Sequence, residues 1–141
     1  MRHTLPPPFT LADALGLLES HIHQEPIEIL QVLFLTPDGS ALAHQVHSFG
    51  TANQTWMSVN AIVDQATLLG ATAIVLAHNH PNGDLQPSQE DRRSTQRLTS
   101  AAADRGIHLV DHFILTHDGH RSMKTGDEVP DVRRSDPCLG W

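Results

Sequence analysis

Fifteen consecutive residues, Ala77-His78-Asn79-His80-Pro81-Asn82-Gly83-Asp84-Leu85-Gln86-Pro87-Ser88-Gln89-Glu90-Asp91, gather most of the groups in this chain that could do chemistry together. They follow a short apolar run, residues 72–76, and precede a polar stretch that reads as a helix. His78 and His80 stand two residues apart where a strand would end, so their rings can project to the same side. Pro81, Asn82, Gly83 and Pro87 bring the chain round in a turn. Ser88 and Asp91 fall at the expected helix start, spaced as a capping pair that would make sense with no metal at all. Each residue therefore has a plain reading: loop histidines bonded to backbone, an ordinary turn, a helix cap. Their convergence where a buried strand meets a turn and a helix is what the plain readings leave unexplained. Two neutral nitrogens and one carboxylate oxygen make three ligands, the number a catalytic zinc takes while keeping a position open.

The elements that must position these residues follow from pattern. At 141 residues the chain has the length of one domain with a real core. Hydrophobic residues make up 39% and aromatic residues 4%, with no tyrosine, so the core must be mainly Leu, Val, Ile and Ala. Residues 1–9 contain Pro6-Pro7-Pro8 and read as an extended lead-in. Thr10 and Asp13 mark a helix start, with Leu11, Leu15 and Leu18 at helical spacing, running to about Glu19 or Ser20. Ile29-Leu30-Gln31-Val32-Leu33-Phe34-Leu35 is nearly continuous apolar and predicts a central strand covered on both faces. A turn at Pro37-Asp38-Gly39-Ser40 leads to a more polar strand over 41–49, completing a hairpin. Residues 58–69 predict a helix stopped by Gly70, 71–77 the strand that delivers the histidines, and 89–105 a helix ended by Gly106. That last helix has a thin apolar face of Leu98, Ala101 and Ala102, which predicts one wet side. Residues 107–116 are strand-like, His117-Asp118-Gly119-His120 reads as a tight turn, and 121–124 as a short return strand. Helices interleaved with hairpins imply an α/β class with a single mixed β-sheet flanked by helices.

His78-x-His80-Pro81-x-Gly83 followed by Pro87-Ser88-x-x-Asp91 resembles the JAMM (JAB/MPN) metalloprotease signature. With Gly106-Ile107 and Asp111-His112 added, the pattern resembles the RadC-like branch of that family, over roughly residues 25–125. The resemblance implies the JAB/MPN fold, which is cytidine-deaminase-like, and divides the chain into a lead-in and helix (1–24), a metallohydrolase core (25–125) and a flexible tail (126–141). It implies His78, His80 and Asp91 as ligands of Zn2+ with a water in the fourth position, and Ser88 as stabiliser of the oxyanion. The family's base, a glutamate near the start of an earlier strand, falls at Glu28. A charged residue leading into a nearly all-apolar strand is either solvated at the sheet's end or there for a purpose, and Glu25 competes for the role. Two departures stand out: Asn82 where a Ser is usual, and Trp56-Met57-Ser58 where a His-Pro-Arg segment usually opens the helix before the motif strand. The second bears on substrate contacts, not on the metal site.

The implied activity is hydrolysis of a peptide or isopeptide amide bond through a metal-activated water, with a peptide or protein conjugate as substrate. The alternative is a non-catalytic or DNA-repair-associated factor using the domain as a scaffold. A balance of 9 basic to 16 acidic residues, formally -7, argues against nucleic acid as the main partner. So does a length with no room for the upstream helix-hairpin-helix region of longer relatives. A zinc deaminase is excluded, because that chemistry needs His-x-Glu and Pro-Cys-x-x-Cys, and the single cysteine, Cys138, lies near the end of the chain. The same cysteine count excludes an internal disulfide and fits a reducing, cytoplasmic setting. No signal-peptide pattern and no run long enough to span a bilayer is present, so a membrane partner is not expected. With eleven histidines in the chain, a lone one carries little meaning. His21 and His23, His44 and His47, and His117 and His120 read as surface or packing residues, and Arg92, Arg93 and Arg97 as a solvated helix face.

Overall fold

Strand β1, Ile29–Leu35, is buried along its whole length in the computed structural model, which describes residues 11–19, 27–38, 40–49, 57–117, 119–124 and 128–130. An apolar run without alternation can be satisfied only by cover on both faces, and β1 receives it. Helix α1, Leu11–Glu19, packs Ala14, Leu15 and Leu18 against Leu33, Leu35, Val75, Phe113 and Leu115 on one face. On the other, helix α2, Val59–Leu69, and helix α3, Gln89–Asp104, set Ile62, Val63, Ala66, Leu98 and Ala102 against Leu30, Val32, Phe34, Ile74 and Leu76.

Around β1 the sheet runs in the order β2-β1-β3-β4-β5-β6. Strand β2, Ala41–Phe49, and strand β3, Ala73–Asn79, both pair antiparallel with β1. Strand β4, His108–Thr116, lies parallel to β3, with α3 as the crossover between them. Strand β5, Gly119–Ser122, and strand β6, Glu128–Pro130, complete the sheet as antiparallel neighbours. The sheet is therefore mixed and flanked by helices, as the sequence pattern predicts.

Both crossover helices end in the same way. Gly70 takes φ 74°, its N–H reaches Thr67 O at 3.1 Å, and Ala71 N reaches Ala66 O at 2.9 Å. Gly106 takes φ 72°, its N–H reaches Ala103 O at 3.0 Å, and Ile107 N reaches Ala102 O at 2.8 Å. These paired bonds use up the last helical carbonyls, and the left-handed turn is open to glycine without a Cβ penalty. Each cap hands the chain directly to a strand, β3 or β4. The first handover shifts the expected 71–77 strand to Ala73–Asn79, because Ala71 is consumed by the cap. His78 consequently lies inside the strand and His80 just beyond it.

Two differences lie at the far edge. The expected return strand over 121–124 begins two residues earlier, so His120 stands within β5 and is buried, not in a turn. Strand β6 falls in the stretch read as a tail; three residues ending in a proline carry no readable periodicity. The expectations for residues 1–9 and 131–141 lie outside the described residues.

A buried polar tie joins α1 to the sheet. Gln31, fully buried, donates from Nε2 to Leu18 O at 3.0 Å and accepts at Oε1 from His44 Nε2 at 2.7 Å. Gln31→Ala would leave the Leu18 carbonyl without its donor in an apolar layer. The expected loss is about 1–3 kcal/mol, read as a lower urea midpoint; an unchanged midpoint would show the tie to be dispensable.

Candidate metal centre

Register brings Glu28 to the histidines. Leu30 of β1 is paired with His78 of β3. Carried two residues outward, the antiparallel register sets Glu28 opposite His80, and their side chains meet at 3.6 Å between Oε1 and Nε2. Glu28 is only 3% exposed. Asn79, whose side chain points to the other face, braces this segment: Ile29 N donates to its Oδ1 at 2.7 Å, and its Nδ2 donates to Ile27 O at 3.0 Å. The residue between the two histidines thus clamps the backbone on both sides of Glu28. Glu25 lies outside the described residues.

The turn after β3 fixes the second imidazole. His80 N donates to Leu115 O at 2.9 Å, and Gly83 N to His80 O at 3.0 Å. Asp84 N donates to Asn82 Oδ1 at 3.0 Å, and the Asp84 carbonyl returns to face His80 Nδ1 at 2.5 Å. A carbonyl can only accept, so His80 carries a hydrogen on Nδ1 and its Nε2 points inward.

Helix α3 supplies the carboxylate. Ser88 is its N-cap: Asp91 N donates to Ser88 Oγ at 2.9 Å and Ser88 N donates to Asp91 Oδ2 at 2.8 Å, the reciprocal capping box that the spacing suggests. Thr95, one turn on, donates its hydroxyl to Asp91 O at 2.7 Å and contacts His112 Nδ1 at 2.7 Å. His112 Nε2 lies 2.7 Å from His78 Nδ1 in the buried interior.

His78 Nε2, His80 Nε2 and Asp91 Oδ2 therefore converge, forming a group that could hold a metal ion. Their separations are 2.9 Å between the nitrogens, and 3.4 and 3.6 Å from Asp91 Oδ2 to His78 and His80. Bonds of about 2.0–2.1 Å from a tetrahedral zinc place its ligand atoms roughly 3.3 Å apart, so the three atoms fit one face of such a tetrahedron. Nitrogen and carboxylate donors suit zinc among the divalent ions.

The electrostatics match this geometry. Burial pushes Glu28 up to about 7, with Asp91 adding to the rise and His80 opposing it. Burial acts to raise Asp91 too, but the facing imidazoles of His78 and His80 outweigh it and hold the carboxyl well below the usual range. Burial lowers His78, and lowers His112 well below an ordinary histidine, so both are neutral near pH 7. For His80 burial is outweighed by Asp91, the Asp84 carbonyl and Glu28, and the ring is raised.

The structure thus brings together Glu28, His78, His80 and Asp91, with Ser88 at the helix start beside them. Three further contributors carry weaker signals in the sequence. Thr95 stands four residues after Asp91, the spacing of neighbours on a helix face. His112 stands out only by family resemblance, and Asn79 not at all, since its side chain faces away from the ligands. Asp111, beside His112, takes no part in the group; its carboxylate accepts from His112 N at 2.7 Å and Ser122 Oγ at 2.6 Å, fastening β4 to β5. Arg97 pairs with Glu90 at 3.9 Å on the wet face. Arg92, exposed as read, also lines a cleft of about 320 Å³ together with Thr95, Leu109, His112 and Met123. Met57 lies near His78 in a small recess, at the position of departure from the family pattern.

A mixed α/β sheet with two histidines at the end of an inner strand and a carboxylate at the following helix start defines a JAB-type domain. Comparison with known proteins agrees: the family model described as RadC-like JAB domain matches residues 10–128, and the chain belongs to that family. A UPF0758 protein of Neisseria gonorrhoeae is 36% identical over 121 residues, covering 86% of this chain and 52% of the relative. A UPF0758 protein of Trichormus variabilis is 36% identical over 111 residues, covering 79% and 46% respectively. The chain spans about half the length of these curated relatives.

Two outcomes test the site's electrostatics and its bracing. A carboxyl raised from 4.5 to about 7 on folding holds its proton longer in the native state. Its contribution to stability is then fully present below about 4.5 and is lost as pH rises through about 7. In the metal-free protein, Glu28→Gln should therefore gain stability relative to the parent across that window, measured by urea unfolding at several pH values; a pH-independent difference would refute the assignment. Asn79→Ala should cost about 1–3 kcal/mol of stability by unpairing Ile29 N and Ile27 O, with faster amide exchange at Ile29 as the local readout.

Proposed function

We propose that this protein is a zinc-dependent hydrolase of the JAMM type that cleaves a peptide or isopeptide amide bond. The observation that carries the reading is the convergence of three electron-pair donors within 4.8 Å of one another, beside a buried carboxyl that titrates close to neutrality. His78, His80 and Asp91 would hold the ion. When bound, zinc supplies Lewis acidity, lowering the pKa of a coordinated water toward 7 and polarising a substrate carbonyl.

The chain's own groups do the rest. Glu28, poised at about 7, can take a proton near pH 7 and return it to a departing amine, and a general base works best when its pKa lies near the working pH. Its Oε1 lies 3.6 Å from His80 Nε2, beside the three donors. Ser88 Oγ accepts the Asp91 N–H, which leaves its own hydroxyl hydrogen to donate to negative charge developing on the carbonyl oxygen. Asp91 sits in the first turn of α3, where the helix dipole favours a negative charge.

The proposed substrate is a peptide or protein conjugate. The formal charge of -7 disfavours a nucleic acid as principal partner, and the single cysteine is compatible with work in the cytoplasm. Among the described residues no helix is long and apolar enough to cross a membrane.

The reading is tested by separating metal uptake from turnover. The parent should bind one zinc ion per chain and hydrolyse an isopeptide-linked or peptide substrate, with activity lost on chelation and restored by zinc. Glu28→Gln should keep the ion and lose roughly 10²- to 10⁴-fold in rate, the usual worth of a general base. His80→Ala or Asp91→Ala should lose the ion; a metal-free His80→Ala protein with full activity would end the scheme.

A further inference from the structure

We infer that Thr95 and His112 are positioning residues for the candidate metal centre, which hold His78 in the tautomer that leaves its Nε2 free to coordinate. The inference rests on the metal-centre reading above and goes beyond it, since neither residue belongs to the ligand set.

Thr95 Oγ1 lies 2.7 Å from Asp91 O and 2.7 Å from His112 Nδ1. A backbone carbonyl has no hydrogen to give, so the hydroxyl's single hydrogen must point at Asp91 O. The oxygen of Thr95 is then an acceptor toward His112, and the hydrogen in that second contact belongs to His112 Nδ1. A neutral imidazole carries one N–H, so His112 Nε2 presents a lone pair. His78 Nδ1 stands 2.7 Å from that lone pair and must supply the hydrogen between them. His78 in turn has only one N–H while neutral, and its Nε2 is left bare, aimed at His80 Nε2 at 2.9 Å and Asp91 Oδ2 at 3.4 Å.

The chain runs His78 to His112 to Thr95 to the Asp91 carbonyl, every donor pointing the same way. It begins on one proposed ligand and ends on the backbone of another. Reversing the bond between the two imidazoles would place a hydrogen on His78 Nε2, where the ion would sit. Burial makes reversal of the ring-to-ring bond costly: His78 and His112 are 1% and 2% exposed. Rotation of the His112 ring is checked as well, because the two rings meet edge to face with centroids 4.7 Å apart. His80 has the same instruction from a different source, the Asp84 carbonyl on its Nδ1.

The experiment uses the full chain in two forms. In the metal-free protein near pH 7.5, two-bond proton–nitrogen spectra should show hydrogen on Nδ1 of both His78 and His112. A hydrogen on His112 Nε2 would overturn the inference outright. Zinc affinity is then measured by competition with a chromophoric chelator for the parent, Thr95→Val, Thr95→Ser, His112→Gln and His112→Leu. Thr95→Val removes the acceptor that biases His112 and should weaken zinc binding by roughly 10- to 100-fold, the usual effect of losing a group that orients a ligand. Thr95→Ser keeps the hydroxyl and should restore both affinity and spectrum. His112→Gln can still accept from His78 through Oε1 and should bind zinc more tightly than His112→Leu, which cannot. Equal affinity for the parent and Thr95→Val would refute the positioning role and leave the metal centre standing. A parent that takes up no zinc would instead refute the metal centre, and this role with it.

Discussion

Two imidazole nitrogens 2.9 Å apart, both with lone pairs and with a carboxylate oxygen a few tenths of an ångström further off, repel one another unless something positive lies between them. Much of the surrounding structure is what makes this arrangement hold. The Asp84 carbonyl fixes one ring, the His112 contact fixes the other, and the capping box fixes the carboxylate through Ser88. A proton can satisfy the group, and the raised pKa of His80 shows where it would reside. A divalent cation satisfies it better, because it accepts three lone pairs at once. Ligand sites commonly carry such frustration, which folding tolerates because the flanking elements over-determine the geometry.

The tolerance comes from where the elements meet. Both histidines extend from a strand whose neighbours on either side, β1 and β4, are buried and apolar over most of their length. Such strands cannot slip by one residue without turning a core face to water. Register in a buried sheet is therefore a rigid ruler; it sets Leu30 against His78, and Glu28, just before the strand, meets His80 just beyond it. Helix α3 is less constrained, with only Leu98 and Ala102 fully buried on a largely wet surface. Its first turn is closed by its own Ser88–Asp91 capping box, and the Thr95–His112 contact ties it to β4. The Thr95–His112 contact thereby docks the helix as well as reaching His78.

The pKa shifts are another consequence of the same placement. Glu28 rises because it is buried at the end of an apolar strand, while Asp91, also partly buried, falls because two imidazoles face it. Two carboxyl groups in one site are thereby driven in opposite directions by their surroundings. One stays charged, as a ligand requires; the other can exchange a proton near neutral pH, as a base requires. Pairs pushed apart in this way mark acid–base assignments in characterised hydrolytic sites.

In the stretch from His78 to Asp91, sequence alone determined the candidate group: imidazoles on one side of a strand end, a turn that returns the chain, and a capped helix start with its carboxylate. Those features are local, and local geometry follows from residue type and spacing. The central strand, the first hairpin and the two glycine stops were legible for the same reason, while β6 was too short to leave a pattern. Glu28 was nameable only by resemblance, and its burial opposite His80 came from the pairing of strands some fifty residues apart. Asn79, Thr95 and His112 acquire their roles wholly in three dimensions. Asn79 works through its outward face, and His112 through a strand that reaches β3 only after the α3 crossover. A hydrogen-bond direction belongs to no residue by itself; it is set by which partner lies on each side, and only the packed fold supplies both.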